Sequence, residues 1–222
     1  MRIVLLKRFG WIERFMRLKN YLGDLKIEDL LSILEKDCKS FKNEIGGCDV
    51  IYAYRGSHNI KNPWEIKFSR SDRKPTDMPV WLQKALDNVF AKDWGWQPRS
   101  EGVFATGDDD QASAYGEDHI FVPIGHFKYL WSTKIDDLYN ELCKFNDFSY
   151  MHGDSKKFEI YFKNEPDLAN SYRDDDLRKA IRSKGEIMFK CKSYLMISKE
   201  LSDVYDSWWY NDLSLLRKRE IA

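Results

Sequence analysis

Apolar residues recur at three- and four-residue steps over several stretches of this chain, which is the spacing of an amphipathic helix. The stretches with this spacing are residues 11–42, 80–90, 135–145 and 174–183. A further short helix is predicted over 111–115, where Asp110 at the end of a polar turn is a candidate cap. Glycines at 46 and 47 end the first section, which predicts a helical extension over residues 1–47.

Other stretches are rich in β-branched and aromatic residues, which favours strands. The predicted strands are residues 48–56, 102–106, 119–124, 127–132, 158–162, 185–189 and 193–197, with a Lys-Cys-Lys turn between the last two. Prolines at 63, 75 and 79 predict that residues 57–78 are mostly loop. This succession favours an α+β fold, in which residues 48–222 form one globular unit and the N-terminal extension packs on it.

Composition narrows the function only slightly. The 36 basic and 36 acidic residues give zero net charge, so no overall field attracts nucleic acid or an anionic membrane. The four cysteines and four histidines show no metal-ligand spacing, and no metal is expected. The first apolar run stops at Lys7, too early for a signal sequence or a membrane span, so a cytoplasmic protein is expected. Trp208 and Trp209 are expected to be buried anchors.

Two segments contain side chains suited to holding a nucleotide. In Tyr54-Arg55-Gly56, at a predicted strand end, the arginine can grip a phosphate or ribose and the glycine allows close backbone approach. In the segment 102–115, Phe104 and Tyr115 are aromatic residues on a strand and after a turn. A flat pyridinium ring between two aromatic faces gains stacking and cation–π attraction.

A third segment, Gly185-Glu186 followed by an apolar strand, supplies a carboxylate. A carboxylate held near a sugar stabilises positive charge that develops on it. Glu186 is the candidate for this role.

In this order the three segments resemble the landmarks of the ADP-ribosyltransferase superfamily. The first is similar to the Tyr-Arg-Gly of the arginine-type branch. The second is similar to the Gly-Ile-Tyr-Phe-Ala-Asp…Ser-x-x-Tyr segment of the poly(ADP-ribose) polymerase and diphtheria-toxin branch, although Phe104 replaces a tyrosine and Ser113 stands one position late. The third is similar to the family's Asn-Glu-Tyr-Ile-Val-Tyr, in which the glutamate is catalytic.

The resemblance implies an ADP-ribosyltransferase-like split β-sandwich that uses NAD and no metal. It implies catalytic roles for Glu186 and Arg55 in mono-ADP-ribosylation of a macromolecule. The implied NAD-binding residues are Arg55, Gly56, Ser57, Phe104, Thr106, Ser113 and Tyr115. Bacterial and phage toxins use this architecture, and an intracellular toxin requires an antitoxin partner.

The residues before Glu186 bear on the acceptor. Arginine-modifying members of the family carry a second glutamate two residues before the catalytic one, whereas this chain has Lys184, which repels an arginine. Lys184 and Arg182 belong to a basic group that favours RNA or DNA as the acceptor. A protein side chain other than arginine is the alternative acceptor.

Three other functions compete with this interpretation. RNA 2′-phosphotransferases share the fold and use NAD, but they need several arginines and histidines for the phosphate, and the sequence places only Arg55 well. A non-catalytic module that binds NAD or nucleic acid, or an unrelated α+β structural protein, would leave Glu186 incidental. Finding Arg55 and Glu186 on opposite sides of the molecule would contradict every NAD-dependent function.

Overall fold

A computed structural model describes residues 27–58, 60–71, 73–75, 78–144 and 153–212 of the chain. The part of the predicted N-terminal helices before residue 27 lies outside the described residues, as does the predicted end of the 135–145 helix at residue 145.

Helices and strands are interspersed along the chain. The helices are α1 (Ile27–Asp37), α2 (Lys39–Ile45), α3 (Val80–Trp94), α4 (Pro98–Glu101), α5 (Asp109–Ser113), α6 (Leu138–Cys143), α7 (Ser155–Asn164), α8 (Pro166–Ala169), α9 (Leu177–Ser183) and α10 (Ser202–Tyr210), with a 3-10 turn at Lys199–Leu201. The strands are β1 (Tyr54–Ser57), β2 (Trp64–Phe68), β3 (Val103–Thr106), β4 (Glu117–Ser132), β5 (Tyr172–Arg173) and β6 (Glu186–Ser198). The α+β prediction is confirmed, whereas the ADP-ribosyltransferase-like split β-sandwich stays a prediction.

The long strands β4 and β6 form the centre of an antiparallel sheet. They pair along most of their lengths, with a shift of register between Ile124 and Phe127. Gly125 at this irregularity has a φ of +74°, a conformation that glycine adopts without steric cost. The two strands predicted at 119–124 and 127–132 are therefore one strand with a bulge.

The shorter strands join opposite ends of this central pair. β1 pairs with the start of β4 and β2 with the end of β6, whereas β5 pairs with the end of β4 and β3 with the start of β6. β1 and β3 meet where Tyr54 lies opposite Thr106, and Thr106 in turn lies opposite Glu186. One half of the sheet thus contains β1 and β2, and the other half contains β3 and β5. The halves are joined by the contact of β1 with β3, and Glu186 lies opposite Thr106 at this contact.

Buried apolar side chains cover both faces of the sheet. The first core contains side chains of α1, α2, α9 and α10, among them Leu34, Phe41, Leu177, Trp208 and Trp209. The second core contains side chains of α3 and α7, among them Leu86, Phe90, Phe158 and Phe162. At the start of β6 successive residues point to opposite cores, with Ile187 and Phe189 in the first core and Met188 in the second. The burial of Trp208 and Trp209 confirms their prediction as anchors.

The strand predicted at 158–162 is wrong, because these residues belong to helix α7. Asp154 caps this helix by accepting a hydrogen bond from the Lys157 amide. Phe158 and Phe162, four residues apart, are buried on one side, whereas Ile160 is 62% exposed. Over only five residues, an apolar pattern fits the helical period as well as the strand period. The Asp154 cap at the start of this segment favours the helix.

Two further boundaries differ from the prediction. No turn exists at 190–192, because Lys190 and Cys191 continue β6 opposite Lys128 and Phe127 of the equally long β4. Residues 57–78 are not all loop, because β2 forms there along the second half of β6. Both differences come from pairing with a strand distant in sequence, which local patterns do not report.

Candidate active site

The strand pairing brings the three sequence segments together. Arg55 on β1 donates a hydrogen bond from Nη1 to the Phe104 carbonyl on β3, with an N–O distance of 2.6 Å. Glu186, the first residue of β6, lies across from Thr106 on the same strand β3. Arg55 and Glu186 therefore flank β3 on one side of the molecule, and the arrangement that would contradict the NAD-dependent functions does not occur.

Glu186 is held at its position by its backbone and by an ion pair. Its amide donates to the Asp136 carbonyl at 2.9 Å, and its Oε1 accepts from Arg99 Nη1 at 2.6 Å. Burial raises the pKa of Glu186 above its ordinary value, and the charge of Asp137 adds to the rise, whereas Arg99 and Arg73 oppose it. A carboxylate in such an enclosed place interacts strongly with any charge that develops beside it.

Arginine side chains cover the ring of Phe104. The guanidinium carbons of Arg73 and Arg99 lie 4.0 Å and 4.6 Å from the ring centroid, at cation–π distance. The Phe104 ring thus lies where a cation on its face is favourable, and Arg73 and Arg99 supply such cations. A nicotinamide stacked on Phe104 would compete with these guanidinium groups for the ring.

Tyr115 lies beside the Arg55-Gly56 end of β1. A Cβ atom on Gly56 would come within 2.1 Å of the Ala112 carbonyl oxygen and 2.9 Å of the Tyr115 carbonyl carbon, so only glycine fits there. Tyr115 itself is 55% exposed. The aromatic residue after α5 is therefore near the arginine strand, as the resemblance implies, and it is open to solvent.

Two hydroxyl groups expected to bind NAD have protein partners. The buried Thr106 donates from Oγ1 to the Lys184 carbonyl at 2.6 Å, which ties β3 to the residues preceding Glu186. Ser113 donates to the Asp109 carbonyl at 2.8 Å within α5. Ser57 lies opposite Glu117 at the end of β1. Thr106 thus helps to position Glu186, whatever contact it makes with a ligand.

The residues expected at the acceptor side form exposed ion pairs. Arg182 pairs with Asp49 at 3.3 Å, and Lys184 pairs with Asp108 at 3.2 Å. Exposed ion pairs contribute little stability, so a polyanion could replace these partners at small cost. Lys184 ends α9 in the left-handed conformation, with a φ of 66°, two residues before Glu186.

Arg73 and Arg99 are the site residues that sequence reasoning missed in this role. In the sequence, Arg73 lies in a loop next to Lys74, and Arg99 follows a proline in a segment without a recognisable motif. They join Arg55 around Phe104, so three arginines, not one, surround the candidate site. The pKa of Arg73 is lowered to about 10, mainly by burial and then by the charges of Arg55 and Arg99.

An acidic cluster and a cavity are formed by other side chains. The carboxylates of Asp108, Asp109 and Asp110 come within 4.8 Å of one another, but Asp108 caps α5, and Asp109 pairs with Lys199 at 2.8 Å. A cavity of about 400 Å³ is lined by Ser40, Glu44, Trp94, Trp96, His126, Phe127, Lys128, Tyr129 and Asp174. Neither the acidic cluster nor the cavity includes Arg55, Phe104 or Glu186. Beside the Glu186 carboxylate, the space is occupied by the side chain of Arg99.

Comparisons with protein-family models, with curated proteins and with solved structures find no match for this chain. Within the ranges that the structure describes, no helix combines the length and the apolar character needed to cross a membrane.

Proposed function

We propose that this protein is a mono-ADP-ribosyltransferase that cleaves NAD at the nicotinamide–ribose bond and transfers ADP-ribose to a macromolecule. The observation that supports it best is the meeting of Arg55, Phe104 and Glu186 around β3. These residues come from three segments far apart in sequence, and each has the chemistry that one part of the reaction needs.

In this proposal, Glu186 stabilises the reacting sugar. The C–N bond to nicotinamide breaks, its electron pair leaves with the neutral nicotinamide, and the ribose carbon becomes cationic. The enclosed carboxylate of Glu186 favours that cation and accepts a hydrogen bond from the acceptor as it attacks. Its ion pair with Arg99 has to loosen first, because a carboxylate fully paired with a guanidinium is a weaker partner for the sugar.

Arg55 and the aromatic residues would hold the dinucleotide. Arg55 presents a planar fork of donors beside the glycine that permits close approach of Tyr115. Phe104 and Tyr115 would place the nicotinamide before it leaves. Fixing both ends of NAD lowers the entropic barrier to bond cleavage.

RNA or DNA is the proposed acceptor. Arg182 lies in the last turn of α9 and Lys184 follows that helix, two residues before Glu186, and their exposed ion pairs can give way to phosphates. A cytoplasmic toxin held in check by an antitoxin is the biological setting that the resemblance suggests. A protein acceptor and a purely NAD-binding module are the competing outcomes of the test.

The test is a transfer assay with NAD labelled in its adenylate part and separate pools of RNA, DNA and cell protein. The compared variants are the wild type, Glu186→Gln, Arg55→Ala and the control Glu159→Gln, which changes a carboxylate paired with Lys92 at 2.7 Å. We expect label in one nucleic-acid pool, abolished by the two site variants and retained by the control. Folded wild-type protein that leaves NAD intact with every pool would contradict the proposal.

A further inference from the structure

Three guanidinium groups meet at the candidate site. Arg55 donates a hydrogen bond to the Phe104 carbonyl, and the guanidinium groups of Arg73 and Arg99 lie over the Phe104 ring. Within the described parts of the chain, Glu186 is the carboxylate that forms an ion pair with one of these arginines, through Arg99. Three guanidinium groups thus share one directly bound carboxylate.

Helix α3 holds the backbone of both additional arginines. Gln83 donates from Nε2 to the Arg73 carbonyl at 2.9 Å and to the Ser100 hydroxyl at 3.0 Å. Asp87 accepts from the Arg99 amide at 2.8 Å and also from the Ser100 hydroxyl. Gln83 and Asp87 are buried, so this network fixes the segments that carry Arg73 and Arg99 relative to each other.

Such an arrangement is costly unless an anion completes it. Arg73 is enclosed among like charges, and its pKa is held down to about 10 by burial and by the neighbouring arginines. Cation–π contacts with Phe104 compensate in part. Guanidinium groups present paired N–H donors that match the oxygens of a phosphate, which would offset the remaining repulsion.

We infer that Arg73 and Arg99 form a phosphate-binding site next to Glu186, in which Arg99 moves from the carboxylate to the incoming phosphate. Binding of the phosphate would release Glu186 for catalysis, so substrate binding and activation of the carboxylate become one event. The phosphate belongs either to the dinucleotide or to the acceptor. This choice of ligands rests on the proposed function, whereas phosphate binding itself does not.

The experiment measures pyrophosphate binding by titration calorimetry. We expect Arg73→Gln and Arg99→Gln to weaken binding roughly tenfold or more, because each loses charge-assisted hydrogen bonds. Arg73→Lys and Arg99→Lys keep the charge without the planar fork and should give intermediate affinities. Arg173→Gln is the matched control, since Arg173 is an exposed arginine paired with Asp175. Melting temperatures show which variants are folded.

Competition with pyrophosphate identifies the source of the phosphate. Displacement by ADP-ribose but not by a short single-stranded RNA assigns the site to the dinucleotide, and the reverse assigns it to the acceptor. Wild-type protein that does not bind pyrophosphate, equal affinities in folded wild type and glutamine variants, or displacement by neither competitor would overturn the inference. The titration needs no turnover, so pyrophosphate binding without NAD cleavage would contradict the proposed function alone.

Discussion

At the scale of single residues, the protonation state of Glu186 connects the environment of the site to its chemistry. Burial places this carboxyl where the neutral form is favoured, and the ion pair with Arg99 only partly restores the charged form. The role proposed for Glu186 requires the charged form. Residues that act on the pKa of Glu186 therefore also set the pH range of the reaction.

We predict an acid limb in the pH profile of NAD cleavage, with a midpoint above 4.5, the ordinary glutamate value. Activity falls as the pH drops through the raised pKa, because the carboxylate becomes protonated. The folded protein binds this proton more tightly than the unfolded chain, so ionisation of Glu186 lowers the free energy of unfolding as the pH rises across the same window.

The measurement is kcat/KM for NAD between pH 4 and pH 8, with unfolding of the wild type and Glu186→Gln followed at each pH. The variant should lack this part of the pH dependence of stability. A wild-type midpoint at or below 4.5 would disagree with the burial of Glu186 as its controlling feature.

At the scale of elements, helix α3 contributes to the site without touching the reacting atoms. Its apolar side packs in the second core, whereas Gln83 and Asp87 bind the segments that carry Arg73 and Arg99. Burying a polar side chain without hydrogen-bond partners would cost free energy. Gln83 and Asp87 each make more than one hydrogen bond. The helix is therefore a positioning element for the arginines.

We predict that Asp87→Ala lowers the free energy of unfolding by about 1–3 kcal/mol, because the amides of Arg99 and Ser100 lose their hydrogen-bond partner beside the buried helix face. It should also weaken pyrophosphate binding, since Arg99 loses its support. Urea unfolding and calorimetry measure the two effects. Asp93→Ala changes an exposed aspartate of the same helix and should leave both near wild type. Equal behaviour of the two variants would refute the positioning role.

At the scale of the whole molecule, one sheet joins the two cores. β6 supplies Ile187 to the first core and Met188 to the second, directly after Glu186. The stability of the site therefore depends on side chains at both faces, including those of the C-terminal helix α10. We expect the described ranges to unfold as one cooperative unit.

We predict that Trp208→Ala lowers the free energy of unfolding by about 3–5 kcal/mol, because it leaves a cavity among buried rings of the first core. Tyr205 lies 5.4 Å from Trp208 between ring centroids, and Lys42 lies over the indole. Tyr210→Ala, at a mostly exposed position, is the control and should change stability little. Circular dichroism and tryptophan fluorescence should report one midpoint, and separate transitions would contradict a single unit.

Local sequence determined those features whose physical cause is local. The periodicity over residues 80–90 predicted α3, and the β-rich segments at 102–106 and 185–189 predicted β3 and the start of β6. Arg55, Phe104 and Glu186 could be proposed as site residues because their three segments, in this order, resemble the motifs of one enzyme family. Their types limited the chemistry to charge, stacking and carboxylate catalysis.

Tertiary structure alone decided which distant residues meet. β4 and β6 extend through their predicted breaks because each stabilises the other by pairing, and α7 is a helix because its cap and its buried face at Phe158 and Phe162 agree. Arg99 reaches Glu186 only through the placement of α4 against α3. Patterns along the chain report local conformation, whereas the grouping of three arginines at Phe104 arises from contacts between segments far apart in sequence.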